Sequence, residues 1–299
     1  MDLLIESPPP IGSQPGRAWR STADFWRRNG AALAGAEADT VDLVPPATTL
    51  HPGELRVQLS ATFPVVDTQT SVEARTVVPG WGDRPFAGFA AVVAETRADT
   101  LGFAVGDEIF GIAEVASLQC DGDSLIVSAR VVARKPTGLS CQESASVALD
   151  AVSAWQMLFK LGQLEAGETA LILGADTTVG RLAIQLAAAH GVRTVAMALP
   201  EDMQGPKCAS RVIDSSAGCL EAQSRLAAVI VDTVGGVPYQ RARKAMRHGC
   251  TLVSCVERPA QSSRAGARFY RPEAASAACL ARIAELIDAG VLDAFKRTE

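Results

Sequence analysis

Leu171-Ile172-Leu173-Gly174-Ala175-Asp176-Thr177-Thr178-Val179-Gly180 is the run on which the fold is decided. Three apolar residues lead into a glycine, and a second glycine opens an amphipathic helix that reaches toward His190. Strand, tight turn and helix start in that order gather free backbone amides and the positive end of a helix dipole at one point. That arrangement suits an anionic group such as a pyrophosphate. The full glycine pattern of a dinucleotide loop, G-x-G-x-x-G, would put glycine at 175, 177 and 180. Those positions hold Ala175, Thr177 and Gly180. Gly180 keeps the close approach of helix to strand. The Cβ of Thr177 limits how near backbone and phosphate come, while its hydroxyl offers a donor. A plain βα turn without ligand fits the run equally well, so the motif alone leaves both readings open.

Working outward, strand and helix alternate from residue 169 on. Thr169–Leu173 reads as a strand, Val179–His190 as a helix and Arg193–Ala198 as a strand. Arg211–Asp214 and Ala227–Asp232 follow as strands, then Tyr239–Arg247 as a helix closed by Gly249, Cys250–Val256 as a strand and Ala274–Ala289 as a last helix. Such alternation predicts a parallel, doubly wound sheet of the Rossmann type. Upstream, Ser140 and Glu143 have the spacing of a capping box and open an Ala-rich helix. Between 41 and 150 the pattern is β-rich. Leu55, Val57 and Leu59 alternate with polar neighbours, and Phe89–Glu95, Glu108–Ile112 and Leu125–Ala133 read as further strands. Gly53, Gly88, Gly106-Asp107 and Lys135-Pro136 are expected turns. The fold class is therefore α/β: a β-rich domain at 41–150 followed by a Rossmann domain at 151–299. An N-terminal extension at 1–40 has its one helical stretch at Ser21–Leu33, carrying Phe25 and Trp26.

Composition narrows the function classes. Hydrophobic residues at 48% and charged residues at 20% describe a globular chain rather than a disordered one. A formal charge of −5 disfavours nucleic acid as a partner. Apolar runs such as Thr169–Leu173 are strand-length, so no membrane span is expected. The seven cysteines are scattered and form no C-x-x-C, which suits buried thiols in a reducing compartment. The cytoplasm is the expected location. The basic stretch Arg17–Arg28 offers a mitochondrial presequence as a second reading, opposed by Asp2, Glu6 and Pro8-Pro9-Pro10. No metal site is expected, because His51, Cys120 and Cys141 are the only His and Cys residues of the first domain. His190 and His248 fall in last helical turns, where the helix dipole accounts for them.

Several words in fixed order carry a family resemblance. They are Leu55–Ala61, Gly106-Asp107-Glu108, Ala133-Arg134-Lys135-Pro136 and Ser153-Ala154-Trp155. The loop 174–180, Ile184-Gln185-Leu186-Ala187 and Val231-Asp232-Thr233-Val234-Gly235-Gly236 complete the set. Across roughly residues 50 to 295 the chain resembles the medium-chain dehydrogenase/reductase superfamily, in its zinc-free quinone reductase and 2-enoyl reductase branch, on the zeta-crystallin-like side. The resemblance implies a GroES-like first domain and a cleft against the Rossmann domain. It implies NADPH as cofactor, no zinc, and hydride transfer to quinones or α,β-unsaturated carbonyl and enoyl substrates. The cofactor contacts would be Ala175, Asp176, Thr177, Thr178, Val179 and Gly180, with Val234 and Gly235 flanking the nicotinamide. Ser153 and Asp67 would stand on the catalytic side. Met197-Ala198 ends the second strand without the acid an NAD enzyme places there, and Lys207 and Arg211 are candidates for a 2′-phosphate. A homodimer, or a partner in a larger assembly, is implied at the Rossmann edge.

The chain also departs from the family pattern. Pro64-Val65-Val66-Asp67 keeps only the aspartate of an Asn-Pro-x-Asp word, and Phe86-Ala87-Gly88 lacks the polar groups of Asn-Glu-Gly. The first domain has no tyrosine to donate a proton, the two present being Tyr239 and Tyr270. The family's C-terminal return to the first domain is expected to be absent. That would leave an apolar patch at Phe63, Phe86 or Phe89, to be covered by the N-terminal arm or by another chain. These departures support a second reading, a non-catalytic reductase-like scaffold.

Overall fold

A computed structural model describes residues 49–64, 86–98, 100, 102–114, 120–121, 124–198, 208–214, 219–258, 266–293 and 295. The N-terminal extension with Phe25 and Trp26, and also Asp67 and Lys207, lie outside the described residues.

The first sheet is antiparallel. It contains β1 (Glu54–Pro64), β2 (Phe86–Thr96), β3 (Glu108–Glu114), β4 (Cys120–Asp121), β5 (Ser124–Ser128) and β6 (Val132–Arg134), in the order β4-β5-β1-β2-β3-β6. The expected single strand Leu125–Ala133 is in fact two. β5 pairs with β1, β6 pairs with β3, and a 3-10 turn at Ala129–Val131 joins them, with the Ser128 hydroxyl accepting from the Arg130 amide. That short link spans at most about 14 Å, whereas four strand spacings in a flat sheet amount to about 19 Å. The sheet must therefore curl until its two sides approach, which makes it a partly open barrel.

Gly88, expected at a turn, sits inside β2. A Cβ there would lie 1.9 Å from the Ala145 carbonyl oxygen, so its missing side chain lets a helix rest directly on the strand. That helix is α1 (Cys141–Trp155), opened by the capping box: Glu143 N donates to Ser140 Oγ, and Ser140 N donates to the Glu143 carboxylate. The helix passes through residue 150 without a break, packs on β1, β2 and β3 and meets the helices at 178–189 and 277–288 on its other side. A π-helical turn follows at Gln156–Leu161.

The second sheet is wholly parallel. Its strands are β7 (Thr169–Leu173), β8 (Arg193–Ala198), β9 (Arg211–Asp214), β10 (Val229–Asp232), β11 (Thr251–Ser254) and β12 (Ala267–Phe269), ordered β12-β11-β10-β7-β8-β9. This is the doubly wound order, with its reversal between β7 and β10. The intervening helices are α2 (Thr178–Ala189), α3 (Leu220–Leu226), α4 (Gly236–Ala245) and α5 (Ala277–Asp288). α4 begins three residues earlier than Tyr239 and ends at Ala245. Positive φ at Gly235 and Gly236 turns the chain there, and Pro238 falls in the first turn, where no amide is missed. α5 lies against β6, and its Asp288 accepts from Thr137 N at 2.8 Å, Thr137 Oγ1 at 3.0 Å and Gly138 N at 3.4 Å. The last helix thus pins the loop between the two sheets.

The expected open patch is not found on Phe86 or Phe89. Both are buried, Phe89 in the core of the curled sheet and Phe86 in the larger core that α1 shares with the second sheet. Residues 86–93 are nearly all apolar, so both faces of β2 are covered, one by the barrel interior and one by α1.

Candidate functional site

The C-terminal ends of β7 and β10 meet at the strand-order reversal, where ligands of such sheets bind. Gly174 leaves β7 with φ +94°, and a Cβ there would come within 2.5 Å of both Thr233 Oγ1 and Val234 Cγ1. Gly180 is equally constrained, since its Cβ would lie 2.0 Å from the Gly174 carbonyl oxygen. Both glycines permit α2 to start directly on the strand end.

Thr177 does not need the glycine it replaces. Its φ of −77° and ψ of 155° are ordinary extended values, and it is the N-cap of α2. Thr177 Oγ1 accepts from Gly180 N at 3.0 Å, lies 2.9 Å from the Gly174 carbonyl oxygen and 2.9 Å from Thr233 Oγ1. Thr233 Oγ1 in turn donates to the Leu173 carbonyl at 2.9 Å. The hydroxyl of Thr177 is therefore engaged inside the turn rather than presented to a ligand.

The amides of the loop divide sharply. Ala175 N donates to the Met197 carbonyl, Thr177 N to the Gly174 carbonyl and Gly180 N to Thr177 Oγ1. The amides of Thr178 and Val179 have no acceptor among the described residues. Two unpartnered amides at the positive end of a helix fit one phosphate group. Asp176 lies half-buried in the turn. Val234, 38% exposed, packs over Gly174, so it borders the phosphate turn first, and Gly235 sits beside it at the start of α4.

Arg211 is at the far end of its strand. It pairs with Val195, and the residue of β9 that reaches the ligand edge, opposite Ala198, is Asp214. A 2′-phosphate at the end of β8 is therefore out of Arg211's position. Met197 and Ala198 themselves are buried, and β8 ends without an acid.

Ser153 is 1% exposed. Its hydroxyl donates to the Leu149 carbonyl at 2.7 Å and lies 3.2 Å from the Tyr270 hydroxyl, which also donates to Gln156 Oε1 at 3.0 Å. Gln156 completes the brace by holding the Glu273 backbone through both amide atoms. Tyr270 is brought here from just beyond β12 and is itself 1% exposed. Burial pushes its hydroxyl pKa up, so it is a donor and not a base.

Two buried acids escaped the sequence reading. Asp150, on α1, is 2% exposed, and its Oδ2 has no hydrogen-bond partner among the described residues. Burial raises its pKa to about 8 against the opposing pull of Arg181. Asp232 closes β10 and accepts from Val234 N, Gly235 N and the Ser254 hydroxyl. Its position in the word Val231–Gly236 was the one available signal. His190 is the C-cap of α2, with Nδ1 2.7 Å from the Leu186 carbonyl and its ring against Trp155 and Phe159, whereas His248 lies beyond the end of α4 at Ala245 and not in its last turn. Among the described residues, no three His, Cys, Asp or Glu side chains converge to hold a metal ion. No helix there is long and apolar enough to cross a membrane.

Comparison with known proteins places this geometry. The mouse mitochondrial NAD(P)H oxidoreductase RTN4IP1 is 32% identical over 156 residues, covering 49% of this chain and 39% of that protein. The spectinabilin polyketide synthase system protein NorB of Streptomyces orinoci is 33% identical over 178 residues, covering 57% of this chain and 8% of that one. This chain is thus similar in sequence to an NAD(P)H oxidoreductase and to part of a polyketide synthase. It spans under half the length of that oxidoreductase and under a tenth of the synthase. No family model matches it. The same fold is seen in an alcohol dehydrogenase superfamily protein from Novosphingobium aromaticivorans, with TM-score 0.62, 23% identity and 82% of each chain covered. CurK enoyl reductase gives TM-score 0.59 at 16% identity with 84% of each chain covered.

Proposed function

We propose that the chain is an NADPH-dependent reductase of quinones or of α,β-unsaturated carbonyl and enoyl compounds, working without zinc. The observation that carries the reading is the pair of unpartnered amides, Thr178 N and Val179 N, at the strand-order reversal of a chain related to a named NAD(P)H oxidoreductase. When bound, the reduced nicotinamide supplies a hydride to an electron-poor double bond or quinone. The chain's part is to hold and orient. Thr178 and Val179 take the pyrophosphate, and the exposed side of Val234 borders the path beyond it. Asp232 and Ser254 fix the loops at 233–236 and 255–258 by hydrogen bonds. Ser153 and Tyr270, both out of solvent, tie α1 to the segment that follows β12.

NADPH over NADH is read from the end of β8, which carries no acid of its own, while Asp214 stands opposite it at the end of β9. A second copy of the chain would add at β12, whose outer edge is unpaired among the described residues. The test is turnover: loss of NADPH absorbance on adding a simple quinone or an enoyl thioester to purified protein. Binding of NADPH without oxidation by either acceptor class would refute the reductase reading.

A further inference from the structure

Asp232 is fully buried at the end of β10, and three donors converge on it. One oxygen accepts from Val234 N at 3.2 Å and Gly235 N at 2.9 Å; the other lies 2.5 Å from the Ser254 hydroxyl. The direction of that last bond is fixed. Ser254 Oγ already accepts from Val256 N at 3.1 Å and Glu257 N at 2.8 Å, so its single proton goes to Asp232. A carboxylic acid would need an acceptor for its own proton, and none of the three partners is one. The arrangement is that of an ionised carboxylate, while burial outweighs these bonds and holds its pKa above the ordinary carboxylate value.

No basic side chain pairs with Asp232 among the described residues. The nearby charge that acts on it is another acid, Glu257, whose Oε1 accepts from Gly236 N at 2.9 Å. In a doubly wound sheet the adenosine half of a dinucleotide lies over the first three strands and the nicotinamide half over the second three. Asp232 and Glu257 stand at the ligand ends of β10 and β11, within that second half. A reduced nicotinamide ring is neutral and an oxidised one is cationic, so a fixed anion there favours one form over the other. We infer that Asp232, seconded by Glu257, biases the site toward the oxidised cofactor and makes the bound reduced form a stronger hydride donor than the free one.

The inference rests on the cofactor reading above and is tested by binding rather than turnover. The dissociation constants of NADPH and NADP+ are compared in the full chain, in Asp232→Asn and in Glu257→Gln. Removing one charge on the order of 10 Å from the ring, at an effective dielectric of roughly 20 to 40, changes the ratio of NADP+ to NADPH constants by about fourfold to sixteenfold. The ratio should rise by about that much in Asp232→Asn and by about twofold in Glu257→Gln, whose charge is better screened. Glu257→Gln keeps an oxygen for the Gly236 amide, so it decides the matter if Asp232→Asn does not fold. Unchanged ratios with binding intact overturn the inference and leave the cofactor reading standing. Failure of the wild-type chain to bind either form overturns both.

Discussion

Replacing Asp150 by asparagine should stabilise this protein, and increasingly so as the pH rises. The carboxyl group is buried on α1 between Arg181 of α2, Cys255 and Tyr270, and its pKa is raised by burial to about 8 from an ordinary 3.8. Below the unfolded value both states are protonated and nothing is lost. Between the two values the unfolded chain is ionised while the folded one keeps its proton, so ΔG of unfolding falls by about 1.4 kcal/mol per pH unit. Above about 8 both states are ionised, and the accumulated loss levels off at about 5 to 6 kcal/mol. Asparagine fills the same space without ionising and removes this dependence. From about pH 5.5 to about pH 7.5 the stability gap between variant and wild type should widen by about 2.7 kcal/mol, or several degrees in Tm. Thermal melts of both proteins across that range make the measurement. Parallel curves would mean that Asp150 is ionised throughout, held by Arg181, and would refute the argument.

Other perturbations probe the phosphate turn and the buried brace. Gly180→Ala puts a Cβ 2.0 Å from the Gly174 oxygen, so it should cost about 1–3 kcal/mol in chemical denaturation despite alanine's better helix propensity; a stabilised variant would show that the helix start yields. Thr177→Gly releases the Gly180 amide to join those of Thr178 and Val179, and one more charge-assisted bond should tighten NADPH binding about tenfold. Unchanged or weaker affinity in that variant, with the fold intact, would show that the threonine is no obstacle. Tyr270→Phe withdraws the shared proton from Gln156 and Ser153 and should cost about 1–2 kcal/mol, with a melt superimposable on wild type as the contrary result. NADPH should bind more tightly than NADH, and calorimetry giving NADH a tenfold advantage would contradict the reading of the β8 end.

The parallel half of the fold was open to reading because each strand there is a short apolar run followed by a helix of period 3.6. The Ser140–Glu143 cap was visible for a similar reason, since both partners lie within one turn. The break at Ala129–Val131 was not, because Leu125–Val127 and Val132-Ala133 alternate in register and only the curl of the sheet separates them. Gly88 was misread because a turn and a helix crossing both ask for a missing side chain, and the sequence does not say which. Thr177 as an N-cap was readable in principle, as a threonine directly before an apolar helical pattern, but the glycine motif drew attention to what it lacked. Ser153 and Tyr270 are 117 residues apart, and Asp232 and Ser254 are 22 apart on neighbouring strands. Bonds of that kind follow from strand order, which no local pattern specifies.

The account depends most on a nicotinamide dinucleotide settling on the amides of Thr178 and Val179. Titration of the purified chain with NADPH, followed by cofactor fluorescence, tests that directly when run beside Gly180→Ala, which displaces those amides. Saturable binding in the wild type, weakened tenfold or more in a folded Gly180→Ala variant, is the predicted result. Equal binding by both proteins, or a wild-type signal that never saturates, would contradict it.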